Sequence, residues 1–115
     1  MSIEPGALVI VHCQNPKEKL WGELQKLDAL GAVLRALDLL SVEDWLGQQR
    51  RGDEGEIGIA PTTLFVPMHR IERVYLDESN EMTMSFGDRY ASTCGGDVRD
   101  ALRGRRPEGG GAKPT

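Results

Sequence analysis

Hydrophobic and polar positions in residues 1–78 follow the patterns of short strands separated by turns. Residues 7–13 are apolar on both alternating faces, which is typical of a strand covered on both sides. Asn15-Pro16 and residues 28–31 carry turn signals. Residues 32–39 fit a helix or a strand by composition, and the hairpin spacing before them favours a strand. We therefore predict five strands, over residues 7–13, 20–27, 32–39, 57–66 and 71–77.

One segment between the third and fourth strands has helical signals instead. Ser41 is a good N-cap, acidic residues follow at positions 43 and 44, and Arg50 and Arg51 precede Gly52. We predict a helix over about residues 42–50. Trp45 lies on its apolar face, and we expect this side chain either to cover one end of the fold or to bind a partner protein.

Five short strands and one helix indicate a mainly β protein, a small and strongly bent antiparallel barrel. Gly22, inside the second strand, predicts a sharp bend or a close backbone approach. Residues 1–78 hold 24 Ile, Leu, Val and Phe residues, whereas residues 79–115 hold three. We therefore predict one domain over residues 1–78 and a Gly-rich, largely flexible tail over residues 79–115. Segments 85–90 and 97–102 are the parts of that tail that could dock.

Charge and composition exclude several classes of protein. With 18 acidic residues against 14 Lys plus Arg, the net charge is −4, which argues against a strongly basic protein that coats nucleic acid. No apolar run approaches the ~20 residues of a membrane span, and we expect no secretory signal. Two cysteines, Cys13 and Cys94, fit a reducing compartment, so we expect a cytoplasmic protein.

The nucleophilic and metal-binding residues show no spacing that favours a catalytic or metal site. Neither Cys-x-x-Cys nor His-x-x-x-His occurs, and a small barrel is filled by its own side chains, which leaves no room for a preorganised pocket. We expect no catalytic residue, no metal ligand and no cofactor, and therefore a protein that is not an enzyme.

Residues 22–34 resemble the first motif of Sm-like proteins, and their register is most similar to that of Hfq. A second stretch, residues 68–74, resembles the second motif of the same branch, and the resemblance covers about residues 7–77. It implies an Sm-like, SH3-like barrel. The matching positions are Gly22, Leu24, Leu27, Asp28, Leu30, Val33 and Leu34 in the first motif, and His69, Ile71 and Val74 in the second.

The same resemblance implies a single-stranded RNA site, formed by Asp28, Leu30, His69 and Arg70. The chain departs from the family pattern because Leu30 replaces an aromatic residue, Pro67 a stacking tyrosine and Met68 a lysine. Each stacked base contributes ~1–3 kcal/mol to binding, so the implied RNA binding is weak.

Strands four and five of such a barrel are unpaired edges, and pairing them between copies would close a ring. We therefore predict a homo-oligomer whose interface includes Thr62, Leu64, Val66, Ile71, Val74 and Leu76. The expected function is that of a non-catalytic oligomer with weak single-stranded RNA binding. The alternative is a protein-interaction or scaffold module that binds no nucleic acid.

Overall fold

A computed structural model describes residues 2–52 and 58–104. Five strands form one antiparallel sheet in the order β4-β3-β2-β1-β5, which places β4 and β5 at the two edges. Mainly β architecture with five strands is thus as the sequence predicts. The strands are β1 (Leu8–Cys13), β2 (Glu18–Asp28), β3 (Gly31–Asp38), β4 (Thr62–Pro67) and β5 (Ile71–Leu76).

At Gly22, strands β2 and β3 approach each other too closely for a side chain. Gly22 lies opposite Ala36, and a Cβ at this position would be 2.1 Å from the carbonyl oxygen of Arg35. Any larger residue would force the two strands apart. The register of the same pair shifts between Leu24 and Lys26, and such irregularities increase the local bend of a strand.

The sheet curls, but among the described residues it does not close into a barrel. Strands β4 and β5 remain at opposite edges of the sheet and do not pair with each other, so the expected closed barrel is not formed. Instead, a single 3-10 turn, Met68–Arg70, spans the opening. The amide of Met68 donates to the carbonyl of Leu30 (2.9 Å), and the carbonyl of Arg70 accepts from the amide of Gln14 (2.8 Å).

Strand β4 is shorter than the predicted strand over residues 57–66. Residues 58–61 are not in the sheet, because the backbone of Ile59 is held by helix α1 (Val42–Arg51). The side chain of Gln48 on α1 accepts from the amide of Ile59 (2.9 Å) and donates to its carbonyl (3.0 Å). These two bonds satisfy the groups that a longer strand would have paired with β3.

Two apolar cores lie on the two faces of the sheet. The concave face is filled by a cluster of buried side chains that includes Val9, Val11, Leu24, Leu34 and Val66. The convex face is covered by the helices, and its cluster includes Leu8, Trp21, Leu37, Val42, Trp45, Tyr90, Val98 and Leu102.

Helix α1 begins after Ser41 and ends at Gly52, whose left-handed φ of 71° suits glycine. Its position is close to the predicted helix over about residues 42–50. Trp45 is 1% exposed, and its ring lies 5.9 Å from that of Trp21. Trp45 therefore covers the convex face, and its side chain is not available to bind a partner.

The segment after β5 packs on the body to a greater extent than the sequence predicts. Helices α2 (Phe86–Cys94) and α3 (Val98–Leu102) bury Tyr90, Val98 and Leu102. Residues 85–102 are thus part of the convex core rather than of a largely flexible tail. The rest of the expected tail, residues 105–115, lies outside the described residues.

Candidate interaction surfaces

The tip of the β2–β3 hairpin and the turn before β5 lie side by side, as the resemblance to Sm-like proteins implies for an RNA site. Gly31 at the tip pairs with Pro67, and the Leu30–Met68 hydrogen bond joins the next residues on each side. Asp28 and Leu30 belong to the tip, and His69 and Arg70 belong to the turn.

The charged members of this predicted site have structural roles. Asp28 Oδ1 accepts from the amide of Leu30 (2.9 Å), which caps the hairpin, and Asp28 also pairs with Lys26 at 3.7 Å. Such a side-chain cap is a common way to stabilise a tight turn.

Arg70 clamps the β1–β2 turn. Its guanidinium donates to the carbonyl oxygens of Gln14 (3.1 Å) and Pro16 (2.8 Å) and to the carboxylate of Glu18 (2.8 Å). Its donors are directed into the protein, so a phosphate group would have to displace these bonds. The other two predicted contacts, Leu30 and His69, have exposed side chains. Within the described residues, the hydrogen bond from Gln14 to His69 reaches its backbone carbonyl and not its ring.

Three exposed apolar side chains surround the hairpin tip, and we name them the hairpin patch: Leu30, Phe65 and Met68. They are 75%, 54% and 40% exposed. A Cβ on Gly31 would lie 2.9 Å from the ring of Phe65, so this ring covers the glycine backbone. Large apolar groups beside an unpaired sheet edge are typical of a protein interaction surface.

Phe65 is a surface residue that the sequence reasoning missed. The predicted interface residues Leu64, Val66, Ile71, Val74 and Leu76 instead pack with the concave core, while Thr62 is exposed. The strand edges stay accessible, but these side chains are directed inward. The sequence signal for Phe65 is the alternation of side chains along β4. Since Leu64 and Val66 lie on the face that packs inward, Phe65 lies on the opposite face.

A small aromatic and basic group lies on β1 and β5. The rings of His12 and Tyr75 are 4.8 Å apart, and Arg73 donates to the hydroxyl of Tyr75 (3.1 Å). Burial, together with the positive charges of Lys19 and Arg73, lowers the pKa of His12, which favours the neutral ring.

The thiol of Cys13 lies in surroundings that disfavour its reactive form. Burial and the nearby carboxylate of Glu18 raise the pKa of the buried Cys13 thiol, which disfavours the reactive thiolate. Within residues 2–52 and 58–104, no group of three or more His, Cys, Asp or Glu side chains is arranged to hold a metal ion.

Comparison with known proteins adds no family to this picture. No family model, curated protein or solved structure matches the chain. No helix in the described ranges is both long and apolar enough to cross a membrane.

Proposed function

We propose that this protein is a non-catalytic interaction domain of the Sm-like type, which assembles with copies of itself through the edges of its sheet. The observation that carries the proposal is the unpaired edge strand β4 with the hairpin patch beside it. In the proposed assembly, β4 of one copy pairs with β5 of the next, and repetition closes a ring.

Three features support the Sm-like part of this proposal. The edge strands are β4 and β5, the two strands that an Sm-like barrel leaves unpaired. Gly22 occupies the tight approach that the family's bent second strand needs. A one-turn link, Met68–Arg70, precedes the last strand, as the second motif implies.

Protein interaction is a better fit than RNA binding to the charges at the hairpin tip. Asp28 and Arg70 are engaged within the fold, and the exposed groups are mainly apolar. Phosphate contacts from Lys and Arg supply most of the affinity of a non-specific RNA binder. We therefore expect oligonucleotide binding to be weak at physiological salt.

The oligomeric state tests the proposal directly. By light scattering at about 100 μM, a concentration that reveals associations of moderate affinity, we expect a mass several times the 12.7 kDa of one chain. Phe65→Lys places a charge at the β4 edge and should reduce the mass to that of a monomer. Met82→Lys is the matched control, since Met82 is 90% exposed and lies between β5 and α2, in neither edge strand.

A monomeric wild-type protein at this concentration would contradict the proposal. Titration of a labelled oligonucleotide into the same sample at two salt concentrations distinguishes the RNA alternative. Tight binding that weakens steeply with salt would favour RNA binding as the function.

A further inference from the structure

A second surface, distant in sequence from the β4 edge, is a cleft of about 1040 Å³. Its volume is just above the ~300–1,000 Å³ typical of ligand-binding pockets. Four segments form its walls: residues 2–8 before and at the start of β1, residues 77–79 after β5, residues 85–91 at and within α2, and residues 96–99 at the start of α3.

The lining of this cleft carries a net negative charge. Its lining includes five acidic residues and one basic residue, namely Glu4, Asp77, Glu78, Asp88, Asp97 and Arg99. Outside this lining, the described residues hold nine acidic residues and ten Lys plus Arg. The excess of acidic over basic side chains among the described residues is therefore in the cleft lining, which favours a cationic ligand there.

Two of these acids are held by the fold. The carboxylate of Asp77 accepts from the indole N–H of Trp21 (3.0 Å) and from the amides of Phe86 and Gly87 (both 3.2 Å), which fixes the start of α2. Asp97 accepts from Arg99, both from its amide (3.0 Å) and from its guanidinium (3.0 Å). Neither carboxylate is directed at a ligand.

The remaining acids have no such role. In the described ranges, the side chains of Glu4 and Glu78 make no hydrogen bond or ion pair, and Asp88 Oδ2 accepts from the hydroxyl of Ser79 alone. These three side chains belong to separate segments of the wall. No three acids in the described residues converge as metal ligands, so the charges suit several separate cations better than one ion.

The floor of the cleft is apolar. Pro5, Ala7 and Ala91 supply its accessible apolar groups, whereas the lining residues Leu8 and Val98 are buried in the convex core. Lys and Arg side chains have long apolar stems that cover such a surface while their charged ends reach polar groups beyond it. An apolar floor with carboxylates at the rim therefore complements a peptide rich in Lys or Arg.

We propose that this cleft binds a Lys- or Arg-rich peptide segment of a partner protein, with Glu4, Glu78 and Asp88 as its anionic contacts. The peptide binds through charge complementarity at the rim and stem packing on the floor. This site is separate from the strands of the proposed assembly, because it includes no residue of β4, of β5 or of the hairpin patch.

A labelled peptide of four Arg-Gly repeats tests the proposal by fluorescence anisotropy. At about 50 mM salt, where charge interactions are weakly screened, we expect saturable binding by the full chain. The double variant Glu4→Gln/Glu78→Gln should weaken that binding about tenfold, as expected for the loss of two partly exposed ion pairs.

A matched double variant controls for net charge. Asp44→Asn/Glu72→Gln removes the same two negative charges outside the cleft, from an exposed site on α1 and from β5. Its affinity for the peptide should change less than about twofold, because neither side chain lines the cleft or contacts a peptide bound there. In NMR spectra, the amides of Gly6, Gly87 and Gly96 should shift on titration, while that of Gly31 should not.

Three results would overturn the proposal: no binding by the wild-type chain, an equal loss of affinity in both double variants, or equal binding of a Ser-Gly peptide of the same length. Self-association that the Glu4/Glu78 variant abolishes, with no peptide bound, would assign the cleft to a second copy and also overturn it. Phe65→Lys should bind the peptide normally, so failure of the assembly proposal and failure of this one are distinguishable.

Discussion

Leu102→Ala tests whether the C-terminal helices are part of the folded core. Leu102 is fully buried at the end of α3, within the cluster that includes Trp21 and Trp45. Its backbone carbonyl accepts from the guanidinium of Arg35 (2.6 Å), and this bond does not depend on the side chain. The substitution therefore removes apolar packing alone.

The magnitude follows from the atoms removed. Three carbon groups at ~0.8 kcal/mol each give about 2.4 kcal/mol of lost transfer free energy. The cavity left behind adds to this, and measured Leu→Ala changes in cores cost ~2–5 kcal/mol. We expect the free energy of unfolding to fall by about 3 kcal/mol, a large part of the ~5–15 kcal/mol of a typical domain.

Urea unfolding followed by circular dichroism measures this loss. With a slope of ~1.5–2 kcal/mol/M, the midpoint should fall by ~1.5–2 M. Leu40→Ala is the control, since Leu40 is 91% exposed, and exposed substitutions usually change stability by less than ~0.5 kcal/mol. If both variants unfold at the wild-type midpoint, α3 does not pack on the sheet and the convex core has been assigned wrongly.

Three further predictions concern Gly22 between β2 and β3, the hydrogen bonds of Arg70 to the β1–β2 turn, and the buried side chain of Tyr90. Gly22→Ala should lower the free energy of unfolding by about 2 kcal/mol or more in the same urea assay, because its Cβ would overlap the carbonyl of Arg35; an unchanged midpoint would contradict this. Arg70→Met should lower it by about 1–3 kcal/mol, since it leaves Glu18 and two carbonyl groups without their donor, while any oligonucleotide binding stays unchanged. Burial raises the pKa of Tyr90, so the fold favours the neutral phenol, and this contribution to stability is present at neutral pH and lost as the pH rises above about 10. Tyr90→Phe should therefore lose less stability than wild type between pH ~9 and ~11, and an equal loss would show that another group titrates there.

The parts of the fold that the sequence predicts are those determined by local pattern. Alternation of apolar residues predicts the strands, and Gly52 at the C-terminal end of α1 depends on neighbours within its own turn. Ser41 precedes the helix as predicted, but its side chain makes no capping hydrogen bond. Gly22 predicts a close approach because only the absence of a side chain allows one. These features need no knowledge of distant contacts.

The docked helices could not be predicted from average composition. Residues 79–115 have few apolar residues, but Phe86, Tyr90, Val98 and Leu102 all meet the same face of the sheet. Because these four large side chains are buried together, their packing offsets the entropy cost of ordering the segment. A count of apolar residues over the whole segment does not reveal this. The contact that holds α2 in place is also distant in sequence, since Asp77, which bonds to the first amides of α2, accepts a hydrogen bond from Trp21, 56 positions earlier.

The acidic cleft could not be predicted from the sequence, because the sequence does not show which charged side chains are bonded within the fold. The sequence marks Arg70 and Asp28 as ligand contacts by resemblance, yet both are bonded within the fold. Glu4 and Glu78 belong to no sequence motif, and in the described ranges their side chains make no hydrogen bond or ion pair within the protein. A charge that stabilises the fold is costly to divert to a ligand, because its partner would then be left unsatisfied. A charge without an internal partner can bind a ligand at no such cost, and for this reason the cleft is the stronger candidate for a charged ligand.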